Sequence, residues 1–128
     1  MARRVLAAVE DLLFRSKISE TAEQLGIEAR FPRDRRKLLE ALRGSPPDLL
    51  VLDLNSARFE PLDILQAVKS HDTTQQIPTV GFLSHVQRDL AVAAKEAGCD
   101  HVMARSAFTK DLPRILAGGE ATDEAGVG

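Results

Sequence analysis

The sequence predicts an α/β fold in which a five-stranded parallel sheet carries helices on both faces. Five short apolar segments alternate along the chain with five amphipathic ones. The third and fourth apolar segments are nearly uninterrupted, as in parallel strands that are buried on both sides. Short connections between strictly alternating strands and helices favour right-handed crossovers and a doubly wound sheet.

The five predicted strands are short and rich in branched apolar residues. The second shows a period of two, as expected for an edge strand that is covered on one face. The predicted strands are Arg4–Val9, Ile27–Phe31, Asp48–Leu54, Pro78–Ser84 and His101–Arg105.

The intervening segments carry apolar stripes at helical spacing. Gly26 and Gly98 directly follow two of these stripes and are typical helix C-terminal residues. Pro113 is tolerated because it falls in the first turn of the last helix. The stripes are Phe14, Ile18, Ala22 and Leu25; Leu38, Leu39 and Leu42; Leu62, Leu65 and Val68; Leu90, Ala93, Ala94 and Ala97; and Leu112, Ile115 and Leu116.

Length and composition indicate one domain over residues 1–117, followed by a polar tail over 118–128 that we expect to be disordered. No apolar run approaches the roughly 20 residues that span a bilayer, so no membrane partner is expected. The single cysteine, Cys99, excludes an internal disulfide and favours a cytoplasmic location.

The charge is uneven although the net charge is only −2. Residues 1–43 hold ten Lys and Arg against seven Asp and Glu, and the excess centres on "RFPRDRRKLLEALR". Such a run is usually the solvated side of a helix, and here it does not alternate with aromatic side chains for base stacking. A nucleic-acid partner is therefore not expected.

Three carboxylates fall at predicted strand ends. Glu10 and Asp11 follow the first strand, and Asp53 lies near the end of the third. Ligands of open parallel sheets bind outside these carboxyl ends, and crowded carboxylates favour a hard divalent cation. The alternative is that the first two cap a helix and Asp53 merely ends a strand.

Four segments resemble response-regulator receiver domains: "VED", "PDLLVLDLN", "IPTVGFLS" and "AGCDHVMAR". The resemblance covers about residues 4–117. It implies a flavodoxin-like sheet with strand order 2-1-3-4-5. It also implies a signalling module of a phosphorelay. Such a module would interact with a sensor kinase or phosphotransfer protein and with a downstream protein target, and homodimer formation is left open. At most, such a module would catalyse its own phosphorylation and dephosphorylation.

The resemblance also implies roles for individual residues. Asp53 is the expected phospho-acceptor, and the expected Mg²⁺ ligands are Glu10, Asp11, Asp53 and the backbone carbonyl of Asn55. The hydroxyl and the cation expected beside the phosphoryl group correspond to Ser84 and Arg105. Mg²⁺ would neutralise the charge of a transferring phosphoryl group.

The sequence departs from the family pattern at three points. Arg105 stands where lysine is usual, and the two cations are not interchangeable. Ser106 replaces the usual proline, which disfavours a cis peptide. Counting without gaps places Leu83 at the hydroxyl position, unless a bulge at Gly81 shifts Ser84 into it.

These departures leave two alternatives to a working phospho-acceptor. The first is a pseudo-receiver that is not phosphorylated, in which Arg105 pairs directly with Asp53 and the chain is a constitutive interaction module. The second is a small domain that binds an anionic ligand through arginines. The candidate arginines are Arg33, Arg35, Arg36 and Arg105.

Overall fold

A five-stranded parallel sheet in the order β2-β1-β3-β4-β5 forms the centre of the computed structural model, which describes residues 2–84 and 87–119. The predicted strand order is confirmed, and β2 is an edge strand as expected. The strands are β1 (Arg4–Ala8), β2 (Glu28–Arg30), β3 (Leu49–Asp53), β4 (Thr79–Leu83) and β5 (His101–Ala104). Of the predicted tail, residues 120–128 lie outside the described residues.

Helices cover both faces of this sheet and divide the core into two apolar clusters. The helices are α1 (Leu12–Gln24), α2 (Arg35–Gly44), α3 (Pro61–Ser70), α4 (Arg88–Glu96), α5 (Arg105–Lys110) and α6 (Leu112–Leu116). One cluster packs α2, α3 and α4 against the sheet, and the other packs α1, α5 and α6 against the opposite face. No helix in the described part of the chain is long and apolar enough to cross a membrane.

Two local predictions were wrong. Arg105 does not end the fifth strand but begins α5, a six-residue helix with no apolar stripe in the sequence, because Phe108 is its one buried side chain. Leu25, assigned to the first apolar stripe, is 43% exposed. The reason is that α1 ends at Gln24 and the chain turns at Gly26, which has a left-handed φ of 70°.

The bulge proposed at Gly81 is absent, because β4 pairs in unbroken register with β3 and β5. Gly81 has a different role. A Cβ atom there would lie 2.8 Å from Cδ1 and 2.9 Å from Cγ of Leu54, which is itself buried. Because Gly81 has no side chain, the side chain of Leu54, the residue after Asp53, can pack directly against β4.

Candidate functional site

The carboxyl ends of β1 and β3 bring the three predicted carboxylates to one rim of the sheet. Ala8, the last residue of β1, is paired in register with Leu52, which directly precedes Asp53. Glu10 and Asp11 follow β1 in the connection to α1. The predicted position of the acidic residues at the rim is therefore confirmed.

Asp53 is a half-buried carboxylate at the end of β3. Its Oδ1 accepts a hydrogen bond from the backbone N–H of Asn55 at 2.9 Å. Burial raises the pKa of Asp53 above its ordinary value, although the Asn55 hydrogen bond and the charge of Arg105 oppose this shift; the negative charges of Glu10 and Asp11 raise the pKa further. Within residues 2–84 and 87–119, its Oδ2 has no hydrogen bond.

Asp11 uses both of its carboxylate oxygens. Oδ1 caps α1 by accepting from the backbone N–H groups of Leu13 at 2.9 Å and Phe14 at 3.2 Å. Oδ2 accepts from the guanidinium of Arg105 at 2.8 Å. The Arg105 hydrogen bond, together with the two backbone hydrogen bonds, lowers the pKa of Asp11. Asp11 therefore caps α1, as the alternative interpretation of this carboxylate expected, and its role as a metal ligand stays a prediction.

Arg105 is anchored to the first turn of α1. Its guanidinium carbon lies 4.2 Å from the ring centroid of Phe14, over the ring, in addition to the ion pair with Asp11. Phe14 in turn packs against Phe82 with 5.0 Å between centroids, and Phe82 stacks on Phe108 at 5.0 Å. The direct pairing of Arg105 with Asp53, which the pseudo-receiver alternative considered, is not formed in the described part of the chain, where Arg105 contacts Asp11 and the Phe14 ring instead.

Glu10 contacts the loop that follows β3. Its Oε2 accepts a hydrogen bond from the hydroxyl of Ser56, and its Oε1 lies 3.6 Å from Nε of Arg58. Sequence reasoning missed Ser56 and Arg58. The polar segment "NSARFE" after Asp53 was their only signal, and it does not indicate which side chain turns toward Glu10.

Ser84 is hydrogen-bonded to Asn55. Both the backbone N–H and the hydroxyl of Ser84 donate to Asn55 Oδ1 at 2.7 Å, and Asn55 Nδ2 donates to Gln87 at 2.6 Å. The preceding Leu83 is fully buried in the cluster beneath α2, α3 and α4. The Asn55 side chain thus joins the loop after β3 to the segments on both sides of residues 85–86.

The carboxylates do not fit a divalent cation in this arrangement. Both oxygens of Asp11 have protein donors, and Glu10 is occupied by Ser56 and Arg58. In the part of the chain that the structure describes, no group of three or more His, Cys, Asp and Glu side chains could hold a metal ion. The assignment of Glu10, Asp11, Asp53 and Asn55 as ligands stays a prediction.

Comparison with solved structures identifies the fold. A response regulator from Hahella chejuensis superimposes with a TM-score of 0.82 at 21% identity, covering 91% of this chain and 93% of that protein. The chain has the receiver fold of response regulators. No family model and no curated protein sequence matches it.

Two further neighbours with the receiver fold were solved in informative states. The phosphorylated cyanobacterial phytochrome response regulator RcpA has a TM-score of 0.78 at 22% identity, covering 92% of this chain and 91% of that one. The Mn²⁺-bound form of response regulator Rcp1 has a TM-score of 0.74 at 22% identity, covering 91% and 90%. Phosphorylation and metal binding are properties of those proteins, and at this identity the likeness establishes the fold alone.

Proposed function

We propose that this chain is a receiver-like signalling module that works through constitutive protein contacts, without phosphorylation of Asp53 and without Mg²⁺. The observation that carries the proposal is the 2.8 Å ion pair between Arg105 and Asp11. Arg105 is the cation of this site, and its guanidinium is hydrogen-bonded to Oδ2 of Asp11, an oxygen that a metal ion would need.

The ion pair is supported by a second contact on the same side chain. The guanidinium carbon of Arg105 lies 4.2 Å from the centroid of the Phe14 ring, whose face attracts the cation. Arg105 is thereby turned toward α1. A metal ion or an incoming phosphoryl group would have to displace it from both partners.

The remaining groups expected around a phosphoryl group are also engaged elsewhere. Leu83 provides an apolar side chain at the position where a hydroxyl is expected, and the Ser84 hydroxyl donates to Asn55. Transfer of a phosphoryl group depends mainly on positioned donors and cations that stabilise its oxygens. On this proposal, Asp53 keeps the position of a phospho-acceptor but lacks the neighbouring groups that would assist phosphoryl transfer.

A phosphorylated module is the second candidate. It is favoured by Asp53 itself, which is half-buried at the end of β3 and has one carboxylate oxygen without a hydrogen bond in the described chain. In that case Arg105 would leave Asp11, and Mg²⁺ and a sensor kinase or phosphotransfer protein would be required. Both candidates place the module in the cytoplasm, acting on a downstream protein.

An amide NMR titration separates the two candidates. We expect that adding Mg²⁺, and then beryllofluoride as a mimic of the aspartyl phosphate, leaves the resonances of Asp11, Asp53 and Asn55 unchanged. Saturable shifts at these residues that spread into β4 and β5 and disappear in Asp53→Asn would establish the phosphorylated module instead. Asp53→Asn is a suitable control because its amide oxygen can still accept the Asn55 hydrogen bond.

A further inference from the structure

We propose that a basic groove beside the edge strand binds an acidic peptide segment of a partner protein that also carries apolar side chains. This β2–α2 groove has a volume of about 350 Å³, at the small end of the range for ligand pockets. Its principal lining residues are Arg30, Arg33 and Lys37, with Leu6, Phe31 and Pro32. The inference rests on the proposed function, because it names the partner chemistry of the interaction module.

The groove lies at the edge of the sheet, and the residues at its bottom are apolar. β2 has only three residues and pairs with β1 alone, so the flank beyond α2 is left open. Leu6 on β1, which is paired with Arg30, reaches this flank and is 3% exposed. An apolar side chain placed over Pro32 and Ala41, which are both half-buried, would remove apolar surface from water, which is the main source of affinity at such sites.

The rim of the groove is cationic. None of the described residues that line the groove is acidic. Arg33 is exposed and has no ion pair within residues 2–84 and 87–119. Lys37 lies 3.8 Å from Glu40, and Arg30 is bonded to Glu28 at 2.8 Å but its side chain is 69% exposed. Such exposed pairs contribute little, so these cations remain available to a carboxylate, which a guanidinium can bind through two parallel hydrogen bonds.

The groove does not suit a nucleic acid. Phe31 is the one aromatic among the described residues that line the groove, and the guanidinium carbon of Arg15 lies 5.2 Å from the centroid of its ring. Stacking of bases needs a free aromatic face, and Arg15 already covers a face of this ring. Cations around an apolar floor match a short segment in which acidic and apolar side chains alternate.

The test uses the full-length chain and a defined probe. The probe is an acetylated and amidated peptide of three Glu alternating with two Leu, and binding is followed by amide NMR shifts of the chain. One comparison peptide has Gln for Glu, another has Ser for Leu, and two further arms use inorganic phosphate and a ten-residue oligothymidine. The variant is Arg33→Gln with Lys37→Gln. The charge-matched control is Arg36→Gln with Arg43→Gln, on exposed positions of α2 outside the groove.

We expect the Glu-Leu peptide to shift Phe31, Arg33 and Lys37, and both comparison peptides to bind more weakly. The groove variant should raise the dissociation constant roughly tenfold, as expected for the loss of two exposed charge contacts, while the control changes it less than twofold. Equal binding of the Gln peptide, preferential binding of phosphate or oligothymidine, or equal loss in the control variant would overturn the proposal. A response of Asp53 to beryllofluoride with intact peptide binding would refute the proposed function and leave the groove standing.

Discussion

Replacing Gly81 with alanine tests how the structure positions the residues around Asp53. The new Cβ would lie 2.8, 2.9 and 3.0 Å from three side-chain carbons of Leu54. Leu54 is only 4% exposed and is held in the cluster beneath α2, α3 and α4. It therefore cannot swing into solvent, and either its side chain or the backbone between Asp53 and Asn55 has to move.

The expected cost follows from two opposing terms. Forcing an extra carbon into a packed core costs about 1–3 kcal/mol. Alanine also reduces the conformational entropy of the unfolded chain, which stabilises the fold by about 0.4–1 kcal/mol where the native backbone conformation suits alanine. Gly81 lies in a regular strand, so this condition is met. We expect Gly81→Ala to lower the free energy of unfolding by about 1–2 kcal/mol and the melting temperature by roughly 3–10 °C.

Urea unfolding of four proteins checks this reasoning as a double-mutant cycle. Leu54→Ala alone should cost about 2–5 kcal/mol. In that background the clash is gone, so adding Gly81→Ala should be neutral or slightly stabilising. Gly44→Ala is the control, because a Cβ there meets nothing within 4 Å. Equal cost of Gly81→Ala with and without Leu54 would refute the contact as the cause.

Three further predictions concern the rim. Asp53→Asn should raise the free energy of unfolding at pH 7, because the raised pKa of Asp53 means that its charged form is disfavoured in the folded state. This stabilisation should shrink as the pH falls toward 3.8, the ordinary pKa of aspartate. Urea unfolding at several pH values measures it. Arg105→Gln should raise the pKa of Asp11, measured by carboxyl carbon NMR, and an unchanged value would exclude Arg105 as its main cause. Leu83→Thr should lower the free energy of unfolding in urea by about 2–5 kcal/mol without creating a response to beryllofluoride, because it removes buried apolar atoms and buries a hydroxyl.

The sheet was predictable because its signals are local and repeated. Strands such as Leu49–Asp53 are continuous apolar runs, and Gly26 marks the end of the helix after the first strand. The helix Arg105–Lys110 was missed because Phe108 is its one buried side chain, so it has no apolar stripe, whereas the shorter helix Leu112–Leu116 buries three apolar residues and was predicted. Sequence periodicity thus predicts a helix only where its apolar residues repeat.

The site was predictable only to the level of its rim. Strand ends determine that Asp11 and Asp53 lie at one edge of the sheet, and this follows from the βα alternation alone. The partner of Arg105 does not follow from it, since the choice between Asp11 and Asp53 depends on where the long side chain finds its best contacts. In the structure Asp11 and the Phe14 ring both supply contacts, and the position of Phe14 in the sequence indicates only a core residue of α1.

The departures at Arg105 and Leu83 are linked to new contacts rather than being simple losses. Arginine at position 105 reaches the first turn of α1, so one side chain supplies the cation for Asp11 and a contact with the Phe14 ring. Leucine at position 83 joins the apolar core, and the next residue, Ser84, uses its hydroxyl and its backbone N–H to hold Asn55. Each change fixes a rim segment through protein contacts alone. Rim segments held by contacts within the protein are what the proposed constitutive interaction module requires.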